Sequence, residues 1–408
     1  MEYQFHCLSN GIRIVHKYTD SNIAHCGLII NTGSRDELED ETGIAHFIEH
    51  CIFKGTSKRK SYHIINRIDS VGGDLNAYTT KEETFVYASF LKEYYPRTLE
   101  LFADIVFNSL FPEKEINKEK DVVIEEISSY KDSPSELIFD EFEQQVFKNH
   151  SLGNLILGSA KDIKRYKSKN LINFVKRVYN TNEMVICSVG KIDFKSLVKF
   201  CEKFFGKFEP NSRTFKRQIF NNYTPESITK NKKTFQSHCL LGNIAYPLSD
   251  DRKTALSFLT NLLGGPAMNS RLSIALREKN GLSYNIEASY TPYSDTGLFC
   301  IYFGTDNSTY NKAVNTVINE LNKLKNNKLG INQLNSFKKQ YKGQIELSFD
   351  SNQNEMLSIG KSYLVYNKVD NIRDICKKID NLNSEQILEV ANEILDDRKL
   401  SFLTYKSK

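Results

Sequence analysis

The sequence predicts an α+β protein built from two similar α/β halves, each a mostly antiparallel sheet packed with helices. Three observations carry that expectation. At 408 residues the chain exceeds what one ordinary core accommodates. Short β-branched runs alternate with longer helical stretches, several of them closed by Gly or Pro. The same succession then restarts after a polar stretch at 209–233, so the halves are drawn as 1–215 and 216–408.

In the first half, Gly11 to His16 and Cys26 to Ile30 read as strands. An acidic turn, Asp36 to Glu41, precedes a helix opened by Thr42-Gly43 and running to Phe53, with Gly55 as its stop. Ser61 to Val71 reads as helix and ends at Gly72-Gly73, and Asn76 to Leu91 is rich in strand formers. Two longer helices follow, Pro96 to Leu110 and Glu113 to Lys131, the second stopped by Ser133-Pro134. Met184 to Val189 is a late strand. The second half repeats this order, with strand-like Cys239 to Ala245, helix Thr254 to Leu263 before Gly264-Gly265, and a strand-rich stretch from Tyr284 to Phe303. Helices Lys312 to Lys325, Ile331 to Phe349 and Ser384 to Leu395 lead to a last strand, Leu400 to Tyr405.

Composition excludes several functions. Fifty-five Lys and Arg stand against fifty Asp and Glu, a net charge of +5 too mild and too mixed for a nucleic-acid binder. No apolar run approaches the roughly 18 residues of a membrane span, and the start lacks the pattern of a secretory signal. Eight scattered cysteines without a C-x-x-C pair read as reduced thiols, which makes a cytoplasmic location the expectation.

The sharpest local feature is His46-Phe47-Ile48-Glu49-His50. Residues four apart share a helix face, so both imidazoles can converge on one ion, and Zn²⁺ favours such nitrogen ligands. Glu49 stands beside the pair without being needed as a ligand. Zinc lowers the pKa of a bound water toward about 7, and a neighbouring carboxylate can take its proton during attack on a carbonyl. A third protein ligand is required, and the stretch 119–127 reads as a helix with Glu119 and Glu126 two turns apart on one face. By itself such a face is most often merely solvated.

These motifs resemble the inverted-motif zinc peptidases of the pitrilysin, insulin-degrading enzyme and mitochondrial processing peptidase family, in its short bacterial-type branch. The resemblance implies a third ligand about 76 residues beyond the second motif His, which falls on Glu126, with Glu125 as the fallback. It implies an accessory catalytic Glu at 119. Gly33-Ser34-Arg35-Asp36-Glu37, Phe53-Lys54-Gly55-Thr56 and Gly72-Gly73-Asp74-Leu75-Asn76-Ala77-Tyr78-Thr79 match the family in order. The last matches the strand along which the family lays its substrate, which implies Asn76 and Ala77 on the substrate backbone and Tyr78 walling a pocket. Arg277 and Tyr284, seven apart, match the pair that holds substrate and assists the oxyanion. The loop 264–270 departs from the family by carrying Pro266 and Ala267.

The resemblance therefore implies a zinc endopeptidase with one Zn²⁺ per chain and peptide substrates held in a closed chamber, with Glu49 as general base. The alternative is a non-catalytic docking subunit of the same family. A chain of this length with both motifs implies a clam-shell homodimer, or pairing with a homologous subunit. Cys51 reads as a buried thiol, His238 as an ordinary strand residue, and His63 and His150 have no partner at ligand spacing.

Overall fold

The structure is a computed structural model and describes residues 3–407. The first sheet contains β1 (Gln4–Cys7), β2 (Arg13–Tyr18), β3 (Ile23–Ile30), β4 (Asp74–Thr79), β5 (Thr84–Leu91) and β6 (Met184–Gly190), in the order β1-β2-β6-β3-β5-β4. The second contains β7 (Ser227–Lys232), β8 (Ser237–Ala245), β9 (Ile286–Pro292), β10 (Gly297–Thr305) and β11 (Ser401–Ser407), in the order β7-β11-β8-β10-β9. With β1 set aside the two orders superimpose strand for strand. Even the pairing sense agrees, since β2 runs parallel to β6 and β7 parallel to β11 while the remaining pairs are antiparallel.

Side-chain alternation gives each sheet two apolar faces. On β3, β5 and β6, Leu28, Ile30, Val86, Ala88 and Ile186 join the main core with helices Ile44–Cys51 and Tyr95–Phe107. Ile29, Phe85, Val185 and Val189 point the other way, onto Met356, Ile359 and Tyr363 of helix Asn352–Tyr366. The second sheet repeats the scheme. Cys239, Leu241, Phe299 and Ile301 pack on helices Lys253–Gly264, Tyr310–Asn326 and Ser384–Ile394. Leu240, Leu298 and Leu403 pack on Ile138 and Phe142 of helix Pro134–Val146.

The helix closing each second face thus comes from the other half of the sequence. The compact units are discontinuous: 1–128, 154–217 and 347–370 form one, and 129–153, 218–346 and 371–408 the other. The sequence boundary at 215/216 therefore needs correction, because one cut cannot divide a chain whose halves exchange helices. Two local readings change as well. Asn76 to Leu91 is a hairpin rather than one strand, turning at Thr80–Glu83, and Tyr284 to Phe303 is likewise the hairpin β9–β10. β7 lies inside the stretch read as linker, its mostly exposed polar residues concealing the strand pattern. Helix Glu113–Lys131 ends where expected, just before Ser133-Pro134, and Pro134 also occupies the first turn of the next helix, where its missing N–H costs nothing.

Candidate metal centre

Helix Ile44–Cys51 buries Ile44, Ala45, Phe47, Ile48 and Cys51 against the first sheet. That apolar stripe leaves 46, 49 and 50 for the opposite side. The helix starts at Gly43, whose φ of 84° and approach to Gly158 exclude a side chain; an added carbon would lie 2.7 Å from Gly158 Cα. Gly43 offers no capping side chain, so the buried Glu37 carboxylate reaches in. It accepts the Gly43 N–H at 3.0 Å and the Ala45 N–H at 2.9 Å.

His46, His50 and Glu126 form a cluster whose ligand atoms all lie within 4.8 Å of one another. His46 Nε2 is 3.7 Å from Glu126 Oε1, and His50 Nε2 is 3.4 Å from Glu126 Oε2. These separations exceed ordinary N–H···O hydrogen bonds. They are near the spacing of neighbouring ligand atoms around a zinc ion, about 3.3 Å for bonds of about 2.05 Å. The donor set suits zinc on chemical grounds too: two imidazoles and one carboxylate are a catalytic-type complement of three. Burial holds His46 neutral, its pKa pulled down to about 3, and a neutral imidazole is what a metal needs.

Glu119 lies behind His50. Its Oε1 accepts from His50 Nδ1 at 3.0 Å, and its Oε2 is 2.7 Å from Lys54 Nζ. An ionised carboxylate can only accept, so His50 Nδ1 is the donor and Nε2 is turned toward Glu126. Burial opposes charge on both partners, but each wins from the other. The Glu119 carboxyl is held below its ordinary range by His50 and Lys54, and His50 is held above its own by Glu119 and Glu126. Glu119, expected as an accessory catalytic residue, therefore touches His50 and Lys54 behind the cluster. Glu125, the fallback ligand, is exposed and outside the cluster.

Glu49 projects beside the cluster. Burial raises its pKa, opposed by a 2.7 Å hydrogen bond from the Thr79 hydroxyl to Oε2. Thr79 ends β4, which pairs only with β5 and so has one edge unpaired in the sheet. Along β4, Leu75 and Ala77 pack toward the main core, while Tyr78 turns away onto Phe85 and Tyr87, at centroid distances of 5.6 and 6.1 Å. The Asn76 side chain is exposed and bonds to Asp74. Asn76 and Ala77 thus sit on a free edge, whereas Tyr78 faces the side of the sheet opposite Thr79 and Glu49.

In the second unit, Arg277 lies in the last turn of a π-helical segment, Ser273–Glu278, and its guanidinium lies 4.6 Å over the ring of Tyr284, which is 73% exposed. π-turns concentrate at functional positions. Cys51 is buried in the core and His238 bonds Tyr302 at 2.8 Å. His150 receives the Leu152 N–H, and His63 packs beside Tyr62. Residue-by-residue reading missed three contributors, Glu37, Lys54 and Thr79, each in a segment singled out for other reasons. Only Thr79 carried a signal: it shares a strand face with Ala77, two residues away.

Two family profiles match: that of the insulinase peptidases, family M16, over residues 13–160, and that of the M16 inactive domain over 166–341. The chain is 34% identical to a Bacillus subtilis protein described as an uncharacterized zinc protease, YmxG, over 95% of its own length and 94% of the relative. An uncharacterized zinc protease of Rickettsia felis is 30% identical, over 95% and 93%. Among solved structures, a protease from Helicobacter pylori superimposes with TM-score 0.89 at 22% identity, covering 99% of each chain. A peptidase M16 inactive domain from Pseudomonas fluorescens superimposes with TM-score 0.93 at 19% identity, covering 100% of this chain and 99% of that one. The last two establish the fold, the first two the lineage: this chain belongs to the insulinase family of peptidases, M16, in its short bacterial branch.

Proposed function

We propose that the protein is a zinc-dependent endopeptidase that cleaves extended peptide segments. The observation that carries this reading is the convergence of His46, His50 and Glu126 at metal-ligand spacing, with Glu49 beside them on the same helix. The relatives' description as zinc proteases supports it.

In this reading His46, His50 and Glu126 hold one Zn²⁺ per chain, and Glu119, backed by Lys54, fixes the His50 ring. When bound, zinc supplies Lewis acidity, acidifying water and polarising the scissile carbonyl. Glu49 accepts the proton of the attacking water and delivers it to the leaving amine. The free edge of β4 takes the substrate as an added strand through main-chain hydrogen bonds at Asn76 and Ala77. Arg277 and Tyr284 supply a cation and a phenol donor to the developing oxyanion. They act in the site of a second copy within a two-fold homodimer, an isologous arrangement.

Glu49→Gln tests the core of the proposal. It keeps the size of the side chain and removes only the base, so the variant should retain zinc and peptide binding while kcat falls at least ~10²-fold. Normal turnover by a zinc-replete Glu49→Gln protein would exclude the mechanism.

A further inference from the structure

Thr79 makes the only hydrogen bond to the Glu49 carboxylate among the described residues, 2.7 Å from Oγ1 to Oε2. The contact joins two elements distant in sequence, because Glu49 sits on helix Ile44–Cys51 and Thr79 is the last residue of β4. It is also directional. A carboxylate only accepts, so the threonine proton must point at Glu49. That commits Oε2 and leaves Oε1 for a proton arriving from elsewhere.

Without this bond the carboxylate could sample several torsions, since the terminal torsion of a Glu side chain is broad. With it, the base is tied to a strand whose other edge is unpaired. Register within β4 is in turn fixed by β5, with Thr79 opposite Thr84 and Ala77 opposite Val86. A peptide added to the free edge would pair with the strand that holds the base.

Resting on the peptidase reading above, we propose that Thr79 is a positioning residue for Glu49, holding the carboxylate in one orientation and tying it to the strand that receives the peptide. Thr79 touches no reacting atom. It acts through Glu49, so its loss should lower turnover and spare binding.

The experiment compares Thr79→Val with Thr79→Ser in the full-length protein. Valine keeps the β-branched shape that suits the strand and lacks the hydroxyl; serine keeps the hydroxyl. On an internally quenched peptide, Thr79→Val should lose about 10- to 100-fold in kcat, the range expected for a hydrogen bond to a charged group. Its KM should stay within about twofold of wild type, because uniform binding is untouched. Zinc content should not change, and Thr79→Ser should recover most of the rate. Crystal structures give a readout independent of turnover: the Glu49 carboxylate should be displaced or spread over conformers in Thr79→Val, and fixed in Thr79→Ser. An undiminished kcat in Thr79→Val, or an unmoved Glu49 carboxylate, would overturn the proposal. So would a rise in KM that Thr79→Ser fails to rescue. A zinc-loaded wild type that cleaves no peptide would instead overturn the peptidase reading, and this inference with it.

Discussion

Helix Ile44–Cys51 and helix Lys253–Gly264 hold the same place in the two sheets. Each follows the third strand of the shared order, β3 or β8, and precedes the β4–β5 or β9–β10 hairpin. The first carries His46, Glu49 and His50 on one side. The second reads Lys-Thr-Ala-Leu-Ser-Phe-Leu-Thr-Asn-Leu-Leu-Gly and buries Ala255, Leu256, Phe258, Leu259, Leu262 and Leu263, with no imidazole or carboxylate at all. One scaffold can therefore carry a face that brings imidazoles and a carboxylate together or one that carries neither. What differs is a handful of side chains on a helix whose packing face is apolar in both units. Fold and chemistry are separable here.

If the first unit alone holds metal, the largest effect belongs to its third ligand. Glu126→Gln should lose most of the zinc and with it essentially all peptidase activity, whereas Glu125→Gln should keep both. Metal analysis by atomic emission alongside a peptide assay checks this. Full zinc in Glu126→Gln with loss in Glu125→Gln would reassign the ligand.

The second unit contributes Arg277 and Tyr284, and complementation asks where they act. Inactive Glu49→Gln mixed with inactive Arg277→Ala/Tyr284→Ala should recover activity to about a quarter of wild type: under random exchange about half the dimers are mixed, each with one intact site. No recovery despite demonstrated subunit exchange would mean that the pair does not act across a dimer.

The smallest effect distinguishes the units by their response to acid. His16 on β2 is fully buried, between Ser188 and the Ile192 carbonyl, and burial outweighs both hydrogen bonds to bring its pKa down to about 4. His238 on β8, in the second sheet, is half-buried and lowered in the same direction. A histidine kept neutral in the fold is protonated more readily once unfolded, where its pKa is about 6.5. The stability it contributes is therefore present above pH 6.5 and is lost as pH falls toward 4, roughly 3 kcal/mol in all. Urea unfolding at pH 7 and pH 4 should show a loss about 3 kcal/mol smaller in His16→Gln than in wild type, the remaining histidines and carboxyls being common to both. Equal pH dependence in the two proteins would remove His16 from the account.

Much of this was legible in the sequence, and the gaps have physical causes. The helix 44–51 was readable from its apolar spacing and Gly43, and the acidic helix 113–131 from its apolar spacing and the prolines at 112 and 134. Glu126 was selected over Glu125 by its face, and it is the residue that joins the cluster. The hairpin turn at 80–83 escaped notice because Lys81 and Glu83 are charged yet buried, and charge without Gly or Pro gives a weak turn signal. Glu37 looked like part of an acidic loop because its partners are backbone N–H groups, which no residue identity reveals. The helix exchange was hidden for a similar reason: an amphipathic stretch shows that it has an apolar face, not which sheet receives it.

That exchange has a consequence for biosynthesis. A ribosome completes the six strands of the first sheet at residue 190, but the helix that covers their second apolar face ends at Tyr366. At about 5–20 residues per second, translation of the intervening stretch takes roughly 10–35 s. Throughout that interval Val15, Ile29, Phe85, Val185 and Val189 have no helix to cover them. A nascent chain of this design cannot finish its first unit before it has nearly finished its second, so chaperone holding, or translation fast enough to outrun aggregation, becomes a requirement on the cell rather than on the fold.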